Sequence, residues 1–130
     1  IIPNIDTQQG KFYYIYSENN GTDWIINENS PIDLYRGIFS FDLDTDNNPH
    51  AVYNTGNTTN TQLNYTYSMN KGITWDTCVV DKTGDTTGIG NFDTTRQQLV
   101  MNDNSVRICY INYINRQGNN GDLYFASRDQ

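Results

Sequence analysis

Two stretches of this chain carry the spacing Asp-x-x-Arg: Asp33-Leu34-Tyr35-Arg36 and Asp93-Thr94-Thr95-Arg96. A guanidinium held at the rim of a loop can grip a carboxylate or a sugar acid through two parallel N–H···O bonds. The same Asp/Arg pair can equally close a local salt bridge that tidies the loop. Tyr113 and Arg116 offer similar chemistry in a third polar stretch. Asp42-x-Asp44-x-Asp46-Asn47 has the opening spacing of a calcium loop, but the central Gly and the closing Glu are missing. Asp42 and Asp44 also fall in an alternating run that reads as a strand entering a hairpin turn. Close-set carboxylates serve glycoside hydrolysis, yet 13 Asp in 130 residues bring such pairs together by chance. His50 is the single histidine and has no Cys or His neighbour, so it reads as a strand-start residue after Pro49. No Gly-x-Ser-x-Gly elbow or phosphate loop is present. The sequence therefore assigns no catalytic residue, no metal site and no cofactor.

Whatever these residues do, they hang between strands of a repeat. Ser17-Glu18-Asn19-Asn20-Gly21-Thr22-Asp23-Trp24 and Ser68-Met69-Asn70-Lys71-Gly72-Ile73-Thr74-Trp75 share Ser-x-Asn-x-Gly-x-x-Trp, and a third copy opens at Ser127-Arg128-Asp129-Gln130. The copies are offset by 51 and 59 residues, near the period of propeller-type arrays. Ser and Asn can hydrogen-bond nearby backbone and hold a tight turn; Gly supplies a backbone angle that other residues adopt only at a cost. Trp24 and Trp75 share one position, which favours packing between neighbouring sheets over sugar stacking, with each Trp on the strand leaving its turn. Around these turns the alternation predicts strands over 11–17, 23–27, 38–44, 49–54, 62–68, 73–80, 97–102, 106–112 and 122–127. In the 38–44 run, Phe39, Phe41 and Leu43 share one face, and Ser40, Asp42 and Asp44 the other. Aligning Tyr53 with Tyr110 extends the repeat between the turns.

The motif resembles the Asp-box, or bacterial neuraminidase repeat, of sialidase-type β-propellers, with box positions at Ser17, Asn19, Gly21, Trp24, Ser68, Asn70, Gly72, Trp75, Ser127 and Asp129. The resemblance implies an all-β fold, a partial β-propeller of four-stranded antiparallel blades. It divides the single segment 1–130 into an incomplete blade over 1–28, a full blade over 37–81 and an incomplete blade over 96–130. In that family the box joins the third and fourth strands, away from the ligand face. Loops 28–37, 55–61, 81–96 and 113–121 would then face a ligand, which makes Asp33, Arg36, Asp93, Arg96, Tyr113 and Arg116 the binding candidates. A propeller needs roughly four to eight blades to close, so the expected partners are the remaining blades of a longer chain or further copies completing a ring. Sialidase chemistry would need an arginine triad, an Asp acid and a Tyr nucleophile backed by Glu. Arg107 in Val-Arg-Ile-Cys is the nearest to the family's arginine segment but lacks its proline, and the two Glu, Glu18 and Glu28, give no Tyr/Glu pair. The reading is thus a non-catalytic binding or structural module with a carbohydrate or protein ligand. The alternatives are a fragment of a sialidase-like glycoside hydrolase, or a scaffold component of a surface or virion assembly, for which an extracellular or surface location is expected.

Composition narrows the partners. The net charge of -7 comes with no basic stripe to displace counterions, which excludes nucleic acid and an anionic membrane surface. No apolar run approaches the ~20 residues that span a bilayer. Asn and Thr abound and Ala is nearly absent, so helix is disfavoured. Cys78 and Cys109 lack metal-ligand spacing and read as two small buried thiols or a disulfide. Without an initiator Met or leader, the chain reads as a processed product or an excised piece.

Overall fold

The computed structural model describes residues 9–11, 13–29, 33–35, 39–56, 61–82, 91–92, 97–113 and 122–128. Among them every regular element is a strand: β1 (Gln9–Lys11), β2 (Tyr14–Tyr16), β3 (Ile25–Asn27), β4 (Asp33–Tyr35), β5 (Phe39–Leu43), β6 (Pro49–Gly56), β7 (Thr61–Tyr67), β8 (Asp76–Lys82), β9 (Asn91–Phe92), β10 (Gln98–Asn102), β11 (Ser105–Tyr113) and β12 (Asp122–Arg128). The protein is all-β, and among the described residues all pairings are antiparallel. β5-β6-β7-β8 form a four-stranded central sheet, β10-β11-β12 with β9 on the far half of β11 form the last sheet, and β2-β3 and β1-β4 are two-stranded. β1, β4 and β9 are additions to the sequence reading, β9 falling within the expected 81–96 loop. The pairing of Gln9 with Tyr35 and Lys11 with Asp33 turns part of the expected 28–37 loop into strand. Likewise Tyr113, expected in a loop, ends β11 opposite Asn91.

The central sheet is buried on both sides. On one face Val52, Leu63 and Tyr65 join Leu99, Val106, Ile108 and Tyr110 of the last sheet in one apolar cluster. Such clusters supply most of the drive to fold. On the other face Ala51, Thr66 and Ser68 are covered, and Phe41 meets Tyr14 of the first hairpin at 6.0 Å between ring centroids. The alternation of β5 holds, but its polar side has the structural task. Ser40 Oγ accepts the Leu99 N–H at 2.9 Å and Asp42 Oδ2 the Met101 N–H at 2.8 Å. These two side chains occupy the outer edge of β10, which would otherwise present unpaired N–H groups.

Successive sheets do not meet in one repeated way. Counting 59 residues from Ser68 to Ser127 makes Tyr124 the counterpart of Tyr65, and both registers agree: Tyr65 lies opposite Val52 and Tyr124 opposite Tyr110. Tyr110 therefore matches Val52, one residue away from the Tyr53 alignment made on sequence. Tyr14 and Tyr16, counterparts of Tyr65 and Tyr67, turn toward the central sheet from before it. Tyr124 and Ala126, on the same face of the last sheet, turn back toward it from behind. The inward face carries Leu99, Val106, Ile108 and Tyr110, which complete the apolar cluster, and the opposite face mixes Gln98 and Arg107 with Val100, Leu123 and Phe125.

Candidate functional site

The two Ser-x-Asn-x-Gly turns are built by the same bonds. In the first, joining β2 to β3, Ser17 Oγ donates to Asn19 Oδ1 (3.0 Å) and accepts the N–H of Asn19 (3.3 Å) and of Gly21 (2.7 Å). Asn19 Oδ1 then accepts the Asp23 N–H at 2.8 Å, and its amide donates to Asp23 Oδ2 at 2.7 Å. In the second, joining β7 to β8, Ser68 Oγ donates to Asn70 Oδ1 (2.9 Å) and accepts from Asn70 N (3.2 Å) and Gly72 N (2.7 Å). Asn70 Oδ1 accepts the Thr74 N–H at 2.8 Å, and the Asn70 amide donates to Thr74 Oγ1 at 2.8 Å. Each turn passes through two left-handed residues, Asn20 and Gly21 at φ 55° and 85°, and Lys71 and Gly72 at φ 54° and 82°. The glycine was legible in the motif. The lysine was not, since only Asn and Asp visit that region with any ease.

What differs is the surroundings. The second turn is docked on the first hairpin. The Asn27 amide donates to the Lys71 carbonyl at 2.6 Å, and the Lys71 ammonium reaches Glu18 at 2.6 Å and lies 5.6 Å from the centre of the Tyr16 ring. Trp75 stands edge-on to Tyr14 with centroids 6.5 Å apart, and its indole N–H donates to the Gly72 carbonyl at 3.0 Å. Burial raises the pKa of the Tyr14 phenol, with Tyr16 adding to the effect. Trp24, by contrast, is 62% exposed. Both Trp residues precede their strands instead of lying in them, because β3 begins at Ile25 and β8 at Asp76, two and three residues later than expected. Replacing each by Ala separates the roles. Trp75→Ala is expected to cost about 2 kcal/mol in urea unfolding, part of the 3–5 kcal/mol typical of a fully buried ring. Trp24→Ala is expected to stay within about 0.5 kcal/mol of the parent; equal losses would show that Trp75 is not a packing anchor.

Of the proposed ligand-binding residues, Arg36, Asp93, Arg96 and Arg116 lie outside the described residues, as does Asp129 of the third motif copy. Asp33 sits in β4 and Tyr113 at the end of β11, and Ser127 is in β12. No family model, no curated protein and no solved structure matches the chain. Cys78 is exposed and Cys109 half-buried, both as free thiols, which corrects the expectation of two buried thiols or a disulfide. Cys78 lies on the last strand of the central sheet, where packing falls away.

The structure also assembles a polar chain that the sequence did not single out. The Asp44 carboxylate accepts N–H bonds from Asp46 (2.9 Å) and Asn48 (2.7 Å) and the Asn48 amide (3.0 Å). It faces His50 Nε2 at 3.4 Å, while His50 Nδ1 meets the Tyr65 hydroxyl at 2.6 Å. A neutral ring with its proton on Nε2 satisfies both contacts. Burial tends to raise the Asp44 pKa, but the bonds from Asn48, His50 and Asp46 outweigh it and hold the carboxyl below its ordinary value. Burial lowers the His50 pKa against the opposing pull of Asp44. An Asp-His-Tyr series has the residue types of a proton relay, yet Asp44, His50 and Tyr65 are 7%, 0% and 2% exposed. With no face open to a substrate, the series serves to lock the β5–β6 turn to β7. The Asp42/Asp44/Asp46 spacing is thus a turn whose carboxylates accept backbone N–H groups, Asp42 from Leu43 and Met101 and Asp44 from Asp46 and Asn48.

Proposed function

We propose that this chain is a non-catalytic binding or structural module, an arc of sialidase-type Asp-box propeller blades whose ligand is a carbohydrate or a protein. The observation that carries the reading is the pair of Ser-x-Asn-x-Gly-x-x-Trp turns with one shared bonding scheme, the second of them joining the third and fourth strands of a four-stranded antiparallel sheet and resting its Trp on the preceding hairpin. A turn that costs two left-handed residues and reappears with the same bonds is a device for stacking one sheet on another. On the Asp-box reading, binding falls to the loops between the second and third strands and after the fourth, the stretches to which the sequence assigns Arg36 and Arg96. The test is retention on a glycan array beside turnover of aryl glycosides, for the parent and for Arg36→Ala and Arg96→Ala. Glycan retention without turnover, weakened about tenfold or more by either substitution, is the expected result. Turnover that either substitution abolishes would overturn the non-catalytic reading.

A further inference from the structure

We propose that copies of this chain associate head to tail, the outer face of the β2–β3 hairpin of one copy seating on the outer face of the β10–β11–β12 sheet of the next. The inference rests on the stacked-sheet reading of the preceding subsection and names its partner and surfaces. The outer face of the hairpin is the cross-strand pair Ile15 and Ile26, 48% and 56% exposed, with Tyr13 beside them at 46%. At the far end of the molecule Val100, Leu123 and Phe125 share the outer face of the last sheet at 46%, 71% and 64% exposure. The repeat makes the second patch more telling. Thr66 and Asn64 of the central sheet are the counterparts of Phe125 and Leu123, and both polar residues are covered, at 0% and 5% exposure. A polar pair covered while the matching apolar pair faces water inverts what burial favours in a lone molecule. A second copy that covers Phe125 and Leu123 removes the inversion.

Charge selects which face of that copy does so. Arg107 pairs in register with Val100 and is exposed on the same side of the last sheet. Glu28, two residues past Ile26, is exposed at the end of the hairpin. Among the described residues neither belongs to an ion pair. Hairpin against sheet lets Glu28 of one copy meet Arg107 of the next, whereas hairpin on hairpin or sheet on sheet offers neither of them the other's opposite charge.

Sedimentation velocity on the full chain at ~1 to ~100 µM tests the proposal. The parent is expected to exceed the 14.9 kDa monomer in a concentration-dependent way. The double variants Ile15→Lys/Ile26→Lys and Leu123→Asp/Phe125→Asp, changed only on outer faces, are each expected to be folded monomers by circular dichroism. Their equimolar mixture should form a dimer through the one intact pair of faces. Glu28→Arg and Arg107→Glu should each weaken association about tenfold, and the two together in one chain should restore it. A folded parent that stays monomeric at ~100 µM, a double variant that still self-associates, or a mixture that fails to pair would each overturn the head-to-tail contact. Comparing Trp75→Ala with Trp24→Ala on the same samples reads the internal stacking separately, so loss of the contact and failure of the stacked-sheet reading give different results.

Discussion

Gly72→Ala is expected to destabilise the fold by about 3 kcal/mol, against about 1 kcal/mol for the same change at Gly21. Both glycines occupy the fifth position of the same motif at nearly the same angle, φ 82° and 85°, so the left-handed backbone penalises both equally, at roughly 1 kcal/mol. Space separates them. A β-carbon on Gly21 would meet only the Trp24 ring at 3.7 Å, an ordinary contact, whereas on Gly72 it would lie 2.8 Å from Tyr14 Cδ1 and 3.3 Å from Tyr14 Cβ. Tyr14 cannot step aside, because its ring is held by Phe41 at 6.0 Å, Trp75 at 6.5 Å and Tyr16 at 5.4 Å. Overpacking at so confined a contact costs roughly another 2 kcal/mol. Thermal unfolding should show the difference as a fall of roughly 10–15 °C for Gly72→Ala and near 4 °C for Gly21→Ala. A double-mutant cycle with Tyr14→Ala assigns the excess, which should vanish once the ring is gone. Equal melting temperatures for the two glycine variants would mean that the second turn is not seated on the first hairpin.

That contrast marks how far the sequence could be read. Alternation and turn residues located nine of the strands to within about three residues at each end, because period-two patterning and Gly/Asn/Asp punctuation are local signals. The Ser/Asn bonding of the turns was equally local. Pairings between distant segments were not legible. β1 and β4 join residues 9–11 to 33–35, and neither stretch has enough alternation to announce itself. Nor could the motif tell Trp75 from Trp24, since the ring that makes one an anchor belongs to Tyr14, 61 residues before Trp75. Nor was the orientation of the last sheet legible, because both of its faces carry large apolar residues, Leu99, Ile108 and Tyr110 on one and Val100, Leu123 and Phe125 on the other. The Asp44-His50-Tyr65 series was hidden as well, His50 and Tyr65 being cross-strand neighbours whose meeting depends on register. The Arg36, Asp93, Arg96 and Arg116 candidates lie outside the described residues, while Asp33 and Tyr113, expected in loops, fall in β4 and β11.

Those three buried residues set the second large effect. Asp44→Ala is expected to cost about 3 kcal/mol, because it strands the buried N–H and side-chain amide of Asn48 and the His50 Nε2 proton, and a buried donor without a partner costs about 1–3 kcal/mol. The same series makes stability fall with acid in a defined window. Folding holds His50 below its ordinary pKa of 6.5, so the folded state resists a proton that the unfolded chain accepts. Above pH 6.5 the ring is neutral in both states and contributes no pH dependence. As pH drops through 6.5 the unfolded chain binds the extra proton, and stability declines by up to about 1.4 kcal/mol per pH unit. Asp44 adds its own loss further down, since its folded pKa lies below the ordinary 3.8 and the stability it contributes above that value disappears as pH falls through the folded one. His50 is the only histidine in the chain, so between pH 6.5 and about 5 no other side chain has an ordinary pKa that competes with the signal. Urea unfolding at half-unit steps from pH 7.5 to 5 should therefore slope for the parent and run flat for His50→Gln, which has no proton to gain. A flat parent profile across that range would show that the ring takes its proton as readily folded as unfolded, and that the Asp44-His50-Tyr65 lock is open to water.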